Sequence, residues 1–363
     1  MENSEMVYRR NGKKVYIKQP EFEELEFVAK LWADEDTMKS IGGVFDFPKN
    51  KREMFYKKMI YPSDGKNFYC LVYENLEGRA VGEVSFHGYD SSTKSARFNI
   101  KINYKDRNKG YGQEALRLLL DYYFFDFGGK VVIDNVNTLD GMKLFKKVGF
   151  EILSQNKDEI SVRLTKDEYS STTFVINKKV SILMYDGINM LDYSIAHDIL
   201  KIANDISDEN IFEINGISFQ NKIKTNNGFT ITTEKIINNG DIIIIPGGQN
   251  FDKEQKVKEK IDYLNYNFKN CDFICAHGSG IEFLVSCEML DGIFIPGSKD
   301  IYSGIEYIPD RRFIDKSFID NGRIMLSSNI TGEIEMILRL IQKVGGKTLA
   351  IKVSNIIGFV LEY

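Results

Sequence analysis

A glycine-containing turn between a strand and a helix constrains the first half of the chain more than any other feature. Its sequence is Arg107-Asn108-Lys109-Gly110-Tyr111-Gly112. The alternating stretch 96–102 before it predicts a strand, and the apolar stretch 113–120 after it predicts a helix. Such a turn leaves backbone N–H groups unpaired at a helix N-terminus, where the helix dipole adds partial positive charge. We therefore expect an anionic group, typically phosphate, to bind at this turn, with Arg107 and Lys109 as further donors.

Two motifs in the first half resemble those of a known enzyme family. The spacing Arg-x-x-Gly-x-Gly after a strand resembles the acetyl-CoA loop of the GNAT N-acetyltransferases. The segment 137–150, which ends in Gly-Phe, resembles the closing helix of that family. The elements predicted over residues 14–166 follow the order of the GNAT fold, with a mixed and mostly antiparallel sheet. We expect a GNAT domain at residues 1–168.

The resemblance implies acetyl-CoA as cosubstrate and direct attack of an acceptor amine on its thioester. The acceptor, a small-molecule or peptide amine, is not specified by the sequence. Phe145 stands where the family often has a tyrosine acid, so that role is vacant or filled by another group. The cofactor-binding residues implied by the resemblance are Ile100, Lys101, Ile102, Arg107, Asn108, Lys109, Gly110, Tyr111, Gly112, Asn137 and Phe145.

Attack on the thioester requires a neutral amine, so a base or a water chain has to remove a proton. Glu83, on a predicted strand, is the first candidate, although a solvated strand carboxylate is an equally simple interpretation. His87 is the alternative candidate, against a purely structural role. The acidity of the whole chain mildly favours a cationic acceptor.

The composition indicates two globular domains in the reducing cytoplasm. The chain has 363 residues, of which 43% are hydrophobic and 28% charged, enough for two cores. The net charge of −4 gives no reason to expect nucleic acid as a partner, and the apolar runs are too short for a membrane span. Four cysteines without paired metal spacing, and no secretory leader, favour the cytoplasm. With three histidines, we expect no metal.

The second half begins after a polar stretch at residues 169–177, which we predict to be a linker. Over residues 178–363 strands alternate with helices, which favours a parallel sheet covered on both faces. Several segments resemble the ThiJ/PfpI group of the class I glutamine amidotransferase-like fold, a flavodoxin-like sandwich. These segments are Tyr185-Asp186-Gly187 through Leu191-Asp192 to Asp198, then Pro246-Gly247-Gly248, Met289-Leu290-Asp291-Gly292 and Leu326-Ser327-Ser328-Asn329-Ile330-Thr331-Gly332.

Enzymes of this group carry a cysteine on a sharp turn, or elbow, between a strand and a helix. Counting back from Asp291-Gly292 places Gly278 at that position, and the histidine expected after Asp291-Gly292 is also missing. We therefore expect a catalytically silent domain that binds a small molecule, mediates homodimerisation, or does both. Its predicted pocket consists of Asp198, Gly247, Gly248, His277, Gly278 and Ser279.

Two alternatives stay open. Cys275 lies three residues before the elbow; it is either an inert core thiol or the nucleophile of a hydratase, lyase or amidase. The other alternative is that both halves have lost catalysis and the protein senses acetyl-CoA as a ligand.

Overall fold

The computed structural model falls into two compact units, Met1–Thr172 and Thr173–Tyr363. It describes residues 8–39, 42–61, 64–136, 138–155, 160–171, 177–207, 210–233, 240–249, 255–302, 305 and 307–361. No helix in these ranges combines the length and the hydrophobicity needed to cross a bilayer.

A mixed sheet forms the centre of the first unit. Its strands are β1 (Arg9–Asn11), β2 (Val15–Lys18), β3 (Phe68–Glu74), β4 (Ala80–Asp90), β5 (Ser95–Ile102), β6 (Val131–Val136), β7 (Glu151–Gln155) and β8 (Ile160–Thr165). Their order in the sheet is β1-β2-β3-β4-β5-β6-β8-β7, and all neighbours are antiparallel except β5 and β6. The predicted antiparallel meander and mixed sheet are confirmed.

Helices cover this sheet. They are α1 (Leu25–Ala33), α2 (Glu35–Met38), α3 (Lys49–Met59), α4 (Tyr111–Asp121), α5 (Leu139–Val148) and α6 (Lys166–Ser171), and α4 continues as a π-helix over Tyr122–Phe127. Leu116, Leu119 and Leu120 of α4 are fully buried against the sheet. The apolar stretch after the glycine turn therefore forms a helix because it contributes one side of the core.

The parallel strands β5 and β6 separate soon after they meet. Within the described parts of both strands, pairing is confined to Ser95 with Val131 and Ala96 with Val132. Beyond these pairs the strands diverge toward their carboxyl ends at Ile102 and Val136. The sheet therefore opens into a wedge directly before the glycine turn.

The second unit is built on a largely parallel sheet. Its strands are β9 (Lys178–Met184), β10 (Phe212–Ser218), β11 (Lys222–Lys224), β12 (Thr230–Thr232), β13 (Ile242–Ile245), β14 (Phe273–His277), β15 (Ile295–Pro296), β16 (Phe313–Ile314), β17 (Phe318–Asp320) and β18 (Ile324–Ser327). The main sheet has the order β10-β9-β13-β14-β18-β17, with only β17 antiparallel to its neighbour among these described strands.

Helices pack on both faces of this sheet: α7 (Met190–Asp205), α8 (Gln255–Phe268), α9 (Ile281–Ser286), α10 (Ile330–Gly345) and α11 (Lys347–Ile357). Alternate residues of β13 enter different cores. Ile242 and Ile244 pack with residues of α7, α10 and α11, whereas Ile243 and Ile245 pack with residues of α8 and α9. Because both faces are covered, the strands are apolar throughout. The predicted flavodoxin-like sandwich is confirmed.

Candidate functional site

A cavity of about 720 Å³ fills the wedge between β5 and β6. The glycine turn and α5 close its other sides. Its lining includes most of the predicted cofactor-binding residues, namely Ile100, Lys101, Ile102, Arg107, Asn108, Lys109, Gly110, Tyr111, Gly112 and Phe145. The remaining predicted residue, Asn137, lies outside the described residues.

The backbone of the turn has the conformation that an anion site requires. Asn108 and Gly110 adopt left-handed conformations, with φ of 63° and 85°. Gly110 is the N-cap of α4 and makes no side-chain capping bond. The first intrahelical donor is the N–H of Glu114, which bonds to the Gly110 carbonyl. The N–H groups of the first helical turn therefore have no intrahelical acceptor and lie at the wedge.

The charged side chains of the turn are engaged within the protein. Arg107 donates from Nε to the Ile102 carbonyl at 3.2 Å and from Nη2 to the Thr37 carbonyl at 2.7 Å. Lys109 donates to Asp106 at 2.8 Å. Hydrogen bonds from Arg79, and then from Lys109, lower the pKa of Asp106 to about 2. Arg107 and Lys109 thus hold the turn in shape, and its backbone N–H groups face the wedge together with the side chains of Lys14, Lys143 and Lys147.

Glu83 lies on β4 beside the wedge and is completely buried. Its Oε1 accepts from Lys101 at 2.5 Å and from Asn99 at 3.2 Å. Its Oε2 accepts from Tyr69 at 2.5 Å and from the Trp32 indole at 2.8 Å. The interpretation as a solvated strand carboxylate is wrong, because this carboxylate is enclosed by four donors.

His87 follows Glu83 by four residues on β4, so both side chains lie on the same face of the strand. His87 is half-buried. Burial lowers its pKa, and the cations Arg97, Lys101 and Lys58 lower that pKa further. The imidazole is consequently neutral near pH 7 and can accept a proton.

Phe145 on α5 lines the wedge and packs edge-to-face on Phe150, with ring centroids 4.6 Å apart. Thr138 caps this helix by accepting from the Gly141 N–H at 3.0 Å. A phenyl ring cannot give a proton to a leaving thiolate. The wedge does contain an ionisable group that sequence reasoning missed: Asp134 on β6, whose pKa burial raises to about 6.

In the second unit, β14 leads through a sharp elbow into α9. Gly278 occupies the elbow with φ of 51°, and a Cβ atom added there would meet no atom within 4 Å. Cys275 lies inside β14, is fully buried, and packs among core residues of α7, α10 and α11. Burial raises the pKa of its thiol far above the usual range. The hypothesis of a Cys275 nucleophile is therefore not supported, because the thiol is sealed in the core.

The predicted pocket residues come together at this elbow with one exception. The Ser279 hydroxyl accepts from the Gly248 N–H at 2.8 Å and donates to the Gly248 carbonyl at 2.6 Å. Gly247 donates its N–H at 3.1 Å to Asp192 in the first turn of α7. Asp198 is 69% exposed and bonds to His197 instead. The assignment of Asp198 to this pocket needs correction, because Asp192 is the acidic residue that reaches it.

Asp192 is one of three buried ionisable residues around the elbow. His277 Nε2 lies 3.6 Å from Asp192 Oδ2 and 3.9 Å from Glu333 Oε2. Burial raises the pKa of Asp192 to about 6 and lowers that of His277 to about 4. Burial, and then the charge of Asp192, raises the pKa of Glu333 to about 10. These three residues have donor atoms within 4.8 Å of one another and could hold a metal ion.

Comparison with known proteins agrees with the geometry of the first unit. Residues 14–151 match the family model of the acetyltransferase (GNAT) domain. A GNAT domain occupies residues 14–151. No curated protein matches the chain.

Solved structures are similar to each half. An acetyltransferase (GNAT family) from Bacillus anthracis is 25% identical, with 44% of this chain and 99% of that chain covered and a TM-score of 0.38. Spermidine N-acetyltransferase from Vibrio cholerae, in complex with CoA and spermine, is 18% identical, with coverages of 43% and 98% and a TM-score of 0.39. Drosophila melanogaster DJ-1beta is 14% identical, with coverages of 51% and 100% and a TM-score of 0.41.

Proposed function

We propose that the GNAT domain transfers an acetyl group from acetyl-CoA to a primary amine by direct attack, and that the second unit is a ligand-binding or dimerisation domain without catalysis. The observation that carries the first part is the wedge between β5 and β6, which ends at the unpaired N–H groups of the first turn of α4. An elongated cofactor with a pyrophosphate fits this arrangement, since its acyl arm enters the wedge and its phosphates meet the helix N-terminus.

Proton removal is assigned to the polar face of β4. His87 fits this task better than Glu83, because the Glu83 lone pairs already accept from four donors. Because the lowered pKa keeps the His87 imidazole neutral, the ring is ready to accept a proton from the ammonium group of the acceptor. Glu83 then acts as a positioning residue that fixes Lys101 at the edge of the wedge.

The local charge supports one class of acceptor over another. The positive charges of Arg97 and Lys58 act on His87, whereas the charge of Lys101 is offset by Glu83. An amine that also carries an anionic group is attracted to such a surface, and a polyamine is repelled. This proposal differs from the expectation of a cationic acceptor, which was drawn from the acidity of the whole chain. Competition assays with spermidine and amino acids would contradict this proposal if spermidine were acetylated faster.

The decisive experiment is calorimetric titration of acetyl-CoA into the wild type and the variant Gly110→Glu. The glutamate adds negative charge at the N-cap of α4 and strains the left-handed backbone there. We therefore expect the affinity for acetyl-CoA to fall at least about tenfold. Gly128→Glu is the matched control, since Gly128 is also left-handed, with φ of 91°, and open space surrounds it. This control should bind like the wild type. Equal affinity in all three proteins would contradict the loop assignment.

A second candidate function is acetyl-CoA sensing without turnover. Phe145 favours it, because this ring lines the wedge where a proton donor to the thiolate is expected. Binding of acetyl-CoA with no release of free thiol across a broad panel of amines would support sensing. Turnover with any amine would remove it.

A further inference from the structure

The cluster of Asp192, His277 and Glu333 contains a buried carboxyl group, that of Glu333, whose oxygens accept no hydrogen bond. Glu333 is 0% exposed, and neither of its carboxylate oxygens has a hydrogen-bond partner. A buried carboxylate is normally paired, hydrogen-bonded or coordinated to a metal. Its Oε2 lies beside the His277 ring, which identifies where a compensating charge would sit.

The surroundings of His277 direct a lone pair toward the two carboxylates. The Ser327 hydroxyl donates to the Met336 sulfur at 3.6 Å and lies 2.9 Å from His277 Nδ1. When the hydroxyl hydrogen is directed at Met336, Ser327 accepts from Nδ1–H, and this tautomer carries its proton on Nδ1. Nε2 then presents a lone pair to Asp192 and Glu333. Metal-binding histidines commonly donate their other ring N–H in this manner.

Neighbouring residues also orient the Asp192 carboxylate toward His277. Its Oδ1 accepts from the Asn189 amide at 2.6 Å, which fixes the carboxylate plane. Its Oδ2 faces His277 at 3.6 Å. A tetrahedral zinc ion separates its ligand atoms by about 3.4 Å, so small side-chain adjustments bring these donors to bonding distance.

We propose that Asp192, His277 and Glu333 form a binding site for one divalent transition-metal ion of the zinc class. One imidazole and two carboxylates match the ligand preferences of this class. Binding of the ion displaces the proton of Glu333, and the two carboxylates then balance the charge of the ion. Three protein ligands leave at least one coordination position for water or a small ligand. The site goes beyond acetyl transfer, because all its residues belong to the second unit, and it differs from our sequence-based expectation of no metal.

The test uses the full-length protein, treated with a chelator and then freed of it, with zinc chloride as the titrant. We expect one high-affinity ion per chain in the wild type. Glu333→Gln keeps the shape of the side chain but removes its charge, and should weaken binding by about a hundredfold, since even outer-shell partners change affinity by 10–100-fold. Asp198→Asn is the matched control: it removes the same charge beside the exposed His197 and should bind like the wild type.

The absorption spectrum of the wild type loaded with cobalt(II) tests the site without relying on the folding of a variant. Visible d–d bands of a low-coordinate site with nitrogen and oxygen ligands, lost on addition of excess zinc, would support the proposal. Absence of stoichiometric zinc binding, a thiolate-to-cobalt charge-transfer band, or equal affinity in the wild type and a folded Glu333→Gln variant would overturn it. If that variant does not fold, Asp192→Asn takes its place under the same criteria.

Discussion

Asp134 is the ionisable side chain in the wedge whose charge is most sensitive to pH near neutrality. It lies on β6, where the strand has separated from β5, and burial raises its pKa from an ordinary 3.8 to about 6. The N–H of Asn135 and the charge of Arg97 oppose this effect without cancelling it. Because the folded state holds the proton more tightly than the unfolded chain, ionisation of Asp134 destabilises the fold.

Asp134→Asn should therefore stabilise the protein at neutral pH and not in acid. The stability that the neutral carboxyl provides is fully present below pH 3.8 and is lost as pH rises through 6. Two pKa units correspond to at most about 3 kcal/mol, and partial exposure lowers this value. Melting temperatures at pH 4 and pH 7.5 measure the difference, with Asp46→Asn at an exposed position as control. An equal shift at both pH values would contradict the assigned pKa.

The site residues show which individual assignments the sequence permits. The turn residues line the wedge, and Gly278 lies at the elbow. Motifs of this kind can be read from sequence because the backbone geometry depends on glycine at fixed spacing. Asp198 was expected in the pocket from the resemblance, and Asp192 belongs to the same segment; only the structure shows that Asp192, in the first turn of α7, reaches the elbow. Glu333 was overlooked because a glutamate near a helix start is usually solvated, and only tertiary packing buries it.

Elements with buried, regular patterns were predicted well, and exposed short ones were not. Strands β9, β13 and β14 belong to the alternation of strands and helices predicted for residues 178–363. Strand β7 was missed because it is short and its apolar residues, Ile152 and Leu153, are adjacent, which gives no alternation to detect. The short strands β15 and β16 form by pairing with each other although they are distant in sequence, which local propensity does not record.

The interior position of Cys275 in β14 leads to a prediction about stability. Cys275→Ser places a hydroxyl among apolar residues of the core, at a cost of about 1–3 kcal/mol. Cys287→Ser, at a half-buried position, should cost less. Thermal unfolding of both variants measures the two effects, while acetyl transfer stays unchanged. Loss of an activity of the second unit in a folded Cys275→Ser variant would restore the nucleophile hypothesis.

At the scale of the whole molecule, the closing segment of the chain bears on dimerisation. Residues 356–361 are apolar apart from one glycine, a pattern that suits a core or an interface equally. Ile357, Phe359 and Leu361 pack against the core of the second unit, whereas Ile356 and Val360 are 58% and 82% exposed. The apolar character of the three packed residues is therefore explained by the core of the second unit, and dimerisation stays a prediction.

The division of the chain into two compact units leads to a prediction about the first unit on its own. Helix α6 belongs to the first unit and not to a linker, because Tyr169 donates to the Arg117 carbonyl at 3.2 Å and to Asp121 at 3.0 Å. Its ring also packs on Phe124, with centroids 5.5 Å apart. The predicted linker at 169–177 therefore begins too early, and a cut at residue 168 removes a side chain that anchors the domain.

We expect a chain of residues 1–172 to fold and to bind acetyl-CoA with the affinity of the full-length protein. A chain of residues 1–168 should bind the same ligand but unfold at lower temperature, because it lacks the hydrogen bonds and ring contact of Tyr169, worth about 1–3 kcal/mol together. Calorimetric titration and thermal unfolding of both chains test this. A folded 1–172 chain without affinity, beside a full-length protein that binds, would mean that the second unit contributes to the cofactor site.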